Sequence, residues 1–316
     1  MAETATQPQV PELTLAPASA DEYCRSLLAT PGAEMWWFQT GLAPYAGFSR
    51  PFRDYDGRWW WRPKPQFAWP LDYYQPFASR PRLPRRCCLL GYQYPVAPQH
   101  ANSLVHFNVI LDLAGYGLER ISSEKRRAVR KGLRELELVR IDPRDPLVAE
   151  EARIVWNSHV ERTGWNRVFA PRRFVSHWQV LSDHAGTIVL GVRQRQGTSS
   201  STASGHLCAW LIGRLVEGCA YVDTIASHTE RLESRPNDTL IFVFLFNAAR
   251  AGLHYANYFL RSSLAPLERF KQSLGFDSSG LPSRLCVNPL VAAGVRLLLP
   301  GSWRRLRGDW PPPAPA

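Results

Sequence analysis

The stretch RPNDTLIFVFLFNAARAGLHYANYF, Arg235 to Phe259, decides the fold. Asn237 and Asp238 offer N-cap oxygens to a helix that runs through TLIFVFLFNAARA, and Gly252 stands where a left-handed residue closes it. Apolar side chains occupy nearly its whole circumference, so this helix must be covered on all sides, with a sheet beneath it. Arg250, Gly252, His254 and Asn257 interrupt the apolar run from Leu240 to Leu260, which argues against a membrane span and for a buried helix followed by a strand at HYANYFLR.

Working outward, strands are expected at Thr187–Arg193, His206–Ile212 and Cys219–Ile225, with helices at Asp145–Thr163 and Pro171–Asp183. SSEKRRAVRKGLRELE places Val129, Leu133 and Leu136 on one stripe of a helix capped by Ser122 or Ser123, and LELVRI continues it as a strand. Downstream, Ala265–Leu274 turns Leu267, Phe270 and Leu274 inward before Gly275, and SRLCVNP forms a last strand. Alternation of this kind makes an α/β architecture, a mixed central sheet flanked by helices.

The N-terminal region differs. Fifteen aromatics lie between Trp36 and Phe77, with prolines at 44, 51, 63, 65, 70 and 76, a density that excludes helix and leaves short strands and loops. Such a block either forms an indole-rich core or stacks sugars or bases. Ser103–Leu113 alternates as a strand that closes the region. The chain therefore divides into a flexible leader at 1–20, a strand-rich aromatic domain at 21–120, an α/β domain at 121–290 and a tail at 291–316 partly packed on the aromatic domain. In that tail LVAAGVRLLLPGSWRRLRG sets leucines beside Arg304, Arg305 and Arg307, a composition for peripheral contact with an anionic membrane or for packing on the N-terminal domain.

A chain of 316 residues, 45% hydrophobic, has ample material for a core and is not disordered. Its net charge of +11 suits phosphates or acidic partners. The six cysteines show neither CxxC spacing nor zinc-like histidine intervals, and the N-terminus lacks a basic segment before any apolar run. Free thiols, no metal and a cytoplasmic location are the expectation; oligomeric state is open.

Three segments carry a resemblance: KRRAVRKGLRELELVRI, RPNDTLIFVFLFNAARAGLHYANYF and LERFKQSLGF. In order and spacing they are similar to the FemAB-like branch of the GNAT acyltransferases, over about half the chain. The resemblance implies acyl or aminoacyl transfer from an activated donor to an amine, without metal. It implies no permanently bound cofactor, with acyl-CoA or aminoacyl-tRNA as donor co-substrate. Where ordinary GNAT enzymes carry a glycine-rich pyrophosphate loop, this chain has SHTERLESRPND, and Asn257-Tyr258-Phe259 stands where the family has Asp-Phe-Gly. Donor identity is therefore open between the two.

Asp223, near the end of CAYVDTI, is the candidate base, because the resemblance sets that strand at the edge of a cleft in a splayed sheet; a carboxylate capping the strand end is the other reading. His206 and His228 are weaker candidates. Lys125, Arg126, Arg130 and Lys131, with Arg134, suit phosphates of tRNA or a nucleotide-linked substrate, or else form a solvated face partnered by Glu124, Glu135 and Glu137. The resemblance implies a phosphate contact for Lys271, and Arg261 either points into the same region or pairs with Glu268. Arg235, Asn237 and Asp238 make up the donor-loop region. The competing functions are a non-catalytic RNA- or nucleotide-binding module and a GNAT-fold scaffold that has lost donor binding.

Overall fold

The computed structural model describes residues 52–64, 66–164, 168, 170–179, 187–195, 205–216, 218–262 and 264–309. The expected leader at 1–20, the aromatics before position 52, most of the Gly/Ser/Thr loop (196–204) and the Pro-rich end at 310–316 lie outside the described residues.

The N-terminal strands are β1 (Phe52–Arg53), β2 (Trp59–Lys64), β3 (Phe67–Pro70), β4 (Gly91–Pro95) and β5 (Ser103–Ile110). Helix α1 (Ser123–Glu135) leads into β6 (Leu136–Arg140), and α2 (Pro146–Thr163) and α3 (Pro171–Gln179) follow. Next come β7 (Thr187–Gln194), β8 (Leu207–Val216) and β9 (Cys219–Ser227), then α4 (Pro236–Arg250), β10 (Tyr255–Leu260) and α5 (Ala265–Ser273). β11 (Asp277–Val287), α6 (Pro289–Leu298) and α7 (Pro300–Arg307) complete the described chain.

The strands form one sheet in the order β1-β2-β3-β4-β11-β5-β10-β9-β8-β7-β6. Pairing is antiparallel except between β3 and β4 and between β9 and β10. β11 begins earlier than the expected strand at SRLCVNP and reaches its place between β4 and β5, bonding to both. The ladders of β11 with β4 and β5, and of β10 with β5, carry the sheet continuously across residue 120.

Local chemistry sets the helix ends. Ser122 Oγ accepts from the Lys125 amide at 3.3 Å to start α1, and Asp145 Oδ1 accepts from the Leu147 amide at 2.8 Å to start α2. α4 departs from expectation. It begins at Pro236, whose missing N–H costs nothing in a first turn, and Arg235 before it has φ 61°. Asn237 and Asp238 thus lie inside the first turn rather than capping it.

α4 is the center of the fold, buried from Thr239 to Ala248. Its apolar circumference is shared between α1, through Val129 and Leu133, and the sheet, through Leu190, Leu211, Ala220, Val222 and Ala256. The opposite face of the sheet carries α2 and α3, where Trp156, Phe174 and Trp178 pack on Val189, Trp210 and Ile212. Among the described residues most of the aromatic block is buried or half-buried, Tyr55 being exposed. Trp60 is fully buried, its indole N–H donates to Asp54 at 2.9 Å, and Phe52, Phe77 and Tyr92 surround it.

Candidate active site

The sheet opens between β9 and β10. Their parallel ladder holds three pairs, Tyr255 with Cys219, Ala256 with Ala220 and Asn257 with Tyr221. Past these, β9 continues to Ser227 on β8, while β10, already paired with β5 at Ala256 and Asn257, stays with β5 across a register shift to Leu260 opposite Phe107. β8 and β9 stay paired along their length, so the parting lies on the β10 side only.

Asn257 organises the parting. It is 1% exposed, its Oδ1 accepts from the Phe259 amide at 2.6 Å, and its Nδ2 donates to Tyr74 Oη at 2.6 Å. Phe259 has φ 54°, a left-handed conformation that costs a bulky residue about 1–2 kcal/mol. It stands where the resembled motif carries glycine. The carboxamide bond holds the backbone there and the ring packs on Tyr221.

Asp223 lies on β9 two residues past Tyr221, the last residue paired with β10. Ile212 pairs with Thr224 and Gly213 with Val222, so Asp223 is the extra residue of a β-bulge, a device that re-aims a side chain. Val222 faces α4; Asp223 reaches the other face, where its Oδ2 accepts from Arg214 Nη2 at 2.6 Å. This charge-assisted bond fixes the carboxylate while leaving it 21% exposed.

The mouth is the first turn of α4. Ser227, fully buried at the end of β9, accepts from Asn237 Nδ2 at 3.2 Å and from Arg162 Nη2 at 3.4 Å. Asn237 Oδ1 is buried with no partner among the described residues. The helix dipole and the exposed Arg235 make this end attractive to anions. SHTERLESRPND forms a 3₁₀ turn at Thr229–Ser234 before it.

The structure distributes the expected cations unevenly. Arg130 and Arg134 are exposed on α1, Arg126 and Lys131 half-buried, and Lys131 lies 3.7 Å from Glu233 and 3.9 Å from Glu135. Lys125 differs from expectation. It is buried, 2.6 Å from Asp238 and over the Phe270 ring, and this pair joins α1 to α4, so neither group is open to a phosphate. Lys271 differs too: it is buried beside Glu268 at 3.7 Å and donates to the Tyr258 and Leu260 carbonyls. Burial pushes its ammonium below the usual lysine range, Glu268 opposing. It braces β10 where that strand leaves β9. Glu268 is taken by Lys271, Asn108 and the Ser262 amide, whereas Arg261 keeps a buried Nε with no partner among the described residues. His206 is exposed, and His228 has a buried Nδ1 without a partner among the described residues.

Sequence reasoning missed the segment Leu71–Tyr74, which covers the inner end of β9 and β10. Tyr221 Oη donates to the Leu71 carbonyl at 2.5 Å, and Tyr74 stacks on Tyr255 at 4.7 Å. Burial, and then the charge of Asp72, push the Cys219 thiol well up. Burial likewise raises Asp72, against the Tyr74 and Gln75 amides that bond it. Nothing short of tertiary contact marks these residues; their one sequence signal is the aromatic density.

No family model matches the sequence, and no curated protein matches it. Solved structures do. L-PGS from Bacillus licheniformis is similar at 13% identity and TM-score 0.50, over 93% of this chain and 99% of that one. The C-terminal domain of a putative lysylphosphatidylglycerol synthetase from Agrobacterium fabrum is similar at 12% identity and TM-score 0.50, over 84% and 91%. FemX matches at 14% identity and TM-score 0.46 over 61% of this chain, which spans 63% of FemX. With its mixed sheet, buried α4 and parted strands, the chain shares its fold with the two synthetase structures at TM-score 0.50.

Proposed function

We propose that this protein transfers an acyl or aminoacyl group from an activated donor to an amine in one displacement, without an acyl-enzyme. The slot between β9 and β10, with the bulged Asp223 two residues past their last pair, carries the reading. An amine attacking a thioester or ester needs alignment, a proton acceptor and donors for the oxyanion. The N–H groups along β9 past Tyr221, on the side β10 has left, supply such donors. Asp223 Oδ1 takes the ammonium proton after attack while Arg214 retains Oδ2, and the leaving group departs with the electrons of its bond to the carbonyl carbon.

Aminoacyl-tRNA fits the donor side better than acyl-CoA. The turn at Thr229–Ser234 lacks the glycines that let backbone close on a pyrophosphate, and the basic side chains of α1 lie next to it through Lys131 and Glu233. The name of the similar Agrobacterium fabrum structure, a putative lysylphosphatidylglycerol synthetase, agrees with an aminoacyl group.

Incubation with labelled aminoacyl-tRNA or acyl-CoA and a panel of amines, read by mass spectrometry, tests the proposal. Product should form from aminoacyl-tRNA, and Asp223→Asn should lower turnover by about 10²-fold or more with an unchanged Tm. Product from acyl-CoA alone would correct the donor. Binding of tRNA with no product from any amine would overturn transfer in favor of a nucleotide-binding module.

A further inference from the structure

We infer that α6 and α7 form a docking surface for an anionic lipid bilayer. The inference does not depend on the transferase reading.

Asn288 Oδ1 starts α6 by accepting from the Leu290 amide at 3.0 Å. Leu290, Ala293, Gly294 and Leu297 then fall at i, i+3, i+4 and i+7, one face of the helix. That stripe points outward: Leu290 is 83% exposed and Leu297 81%, with Leu298 at 80% and Leu299 at 57% beyond them. A Cβ built on Gly294 would meet nothing within 4 Å. Val291, Ala292 and Val295 on the other side are half-covered. Single exposed leucines are ordinary on a soluble protein, but a contiguous set on one short helix marks an interaction surface.

Charge names the partner. From Pro289 to Arg307 there is no acidic residue, and Arg296, Arg304, Arg305 and Arg307 are exposed around the leucines. Arg296 lies over the Trp303 ring at 4.5 Å, an indole and a guanidinium together at the edge of the apolar patch. Leucines flanked by arginines and an indole match the boundary between acyl chains and anionic headgroups. A nucleic acid would leave the leucines without a partner. No described helix is long and apolar enough to cross a membrane, so the contact lies in the interface plane.

The patch is rigidly mounted. Gln93 Nε2 donates to the Leu306 carbonyl at 3.0 Å, and His106 Nε2 lies 3.0 Å from the Gly308 carbonyl, fastening the end of α7 to β4 and β5.

Co-sedimentation of the full chain with vesicles of phosphatidylcholine, alone or mixed with phosphatidylglycerol, provides the test. The protein should partition onto the mixed vesicles, release as salt rises, and bind the neutral ones at least about tenfold less. Leu297→Asn with Leu298→Asn should weaken partition by about tenfold or more, and Arg304→Gln with Arg307→Gln by a similar factor, both with an unchanged Tm. Equal partition of wild type and leucine variant, or none of wild type onto either vesicle, overturns the proposal. So does a dimer in sedimentation equilibrium that the leucine variant converts to monomer, since a second copy would then be the occupant, or an RNA complex lost in the arginine variant by a protein that ignores vesicles. Should a variant misfold, the lipid and salt comparisons on the unmodified chain still decide.

Discussion

Burial, and then the charge of Arg162, push the His159 imidazole down to about 4 from its ordinary 6.5. It sits in the last turns of α2, stacked on Trp156, with Arg162 Nη2 3.2 Å from its Nδ1 and reaching Ser227 at the mouth. The folded protein therefore resists protonating this ring while the unfolded chain accepts the proton. Its contribution is complete above pH 6.5 and is lost as pH falls toward about 4. Urea midpoints at pH 7 and pH 5 should fall further for wild type than for His159→Gln; equal declines would assign the acid sensitivity elsewhere. Residue by residue, the sequence was a poor guide to burial. Lys125 and Lys271 look like surface cations, and only the approach of Asp238 on another helix and of the β10 carbonyls makes them buried braces. Asn257 and Phe259 were visible as departures from Asp-Phe-Gly, but not as the hinge of the slot.

Between elements, the crossing of α1 over α4 is set by Gly132. A Cβ there would strike Thr239, whose Oγ1 donates to the Arg235 carbonyl at 3.0 Å, and would approach the Ser234 carbonyl at 3.2 Å. Alanine ordinarily favors a helix interior by about 1 kcal/mol over glycine. Overpacking at a fixed crossing costs about 1–3 kcal/mol, which should win here because backbone lies behind Thr239. Gly132→Ala is therefore expected to lower stability by about 1 kcal/mol or more in urea unfolding, and Gly132→Ala with Thr239→Ala to recover part of it. A stabilised single variant would show that the crossing yields. Helix caps and the apolar stripe of α1 were legible because they are local patterns; the close approach at Gly132 belongs to two helices at once.

At the scale of the molecule, β11 decides the arrangement. Taken from the end of the chain, it lies between β4 and β5 and bonds to both. Removing it would part the aromatic strands from the rest of the sheet. Regions joined through such a strand should unfold together, so calorimetry is expected to give one transition with equal calorimetric and van't Hoff enthalpies. Two resolved transitions would instead support separate units divided near residue 120.

The sequence by itself determined the alternation of helices and strands from α1 to α5, the all-round burial of α4 and the strand character of the aromatic region, because periodicity, caps and proline act over a few neighbouring residues. Tertiary structure alone decided where β11 inserts, how β9 and β10 part, and which cations stay exposed. Those outcomes depend on contacts between residues far apart in the chain, where hydrogen-bond register and the desolvation of charges are settled only when the sheet closes.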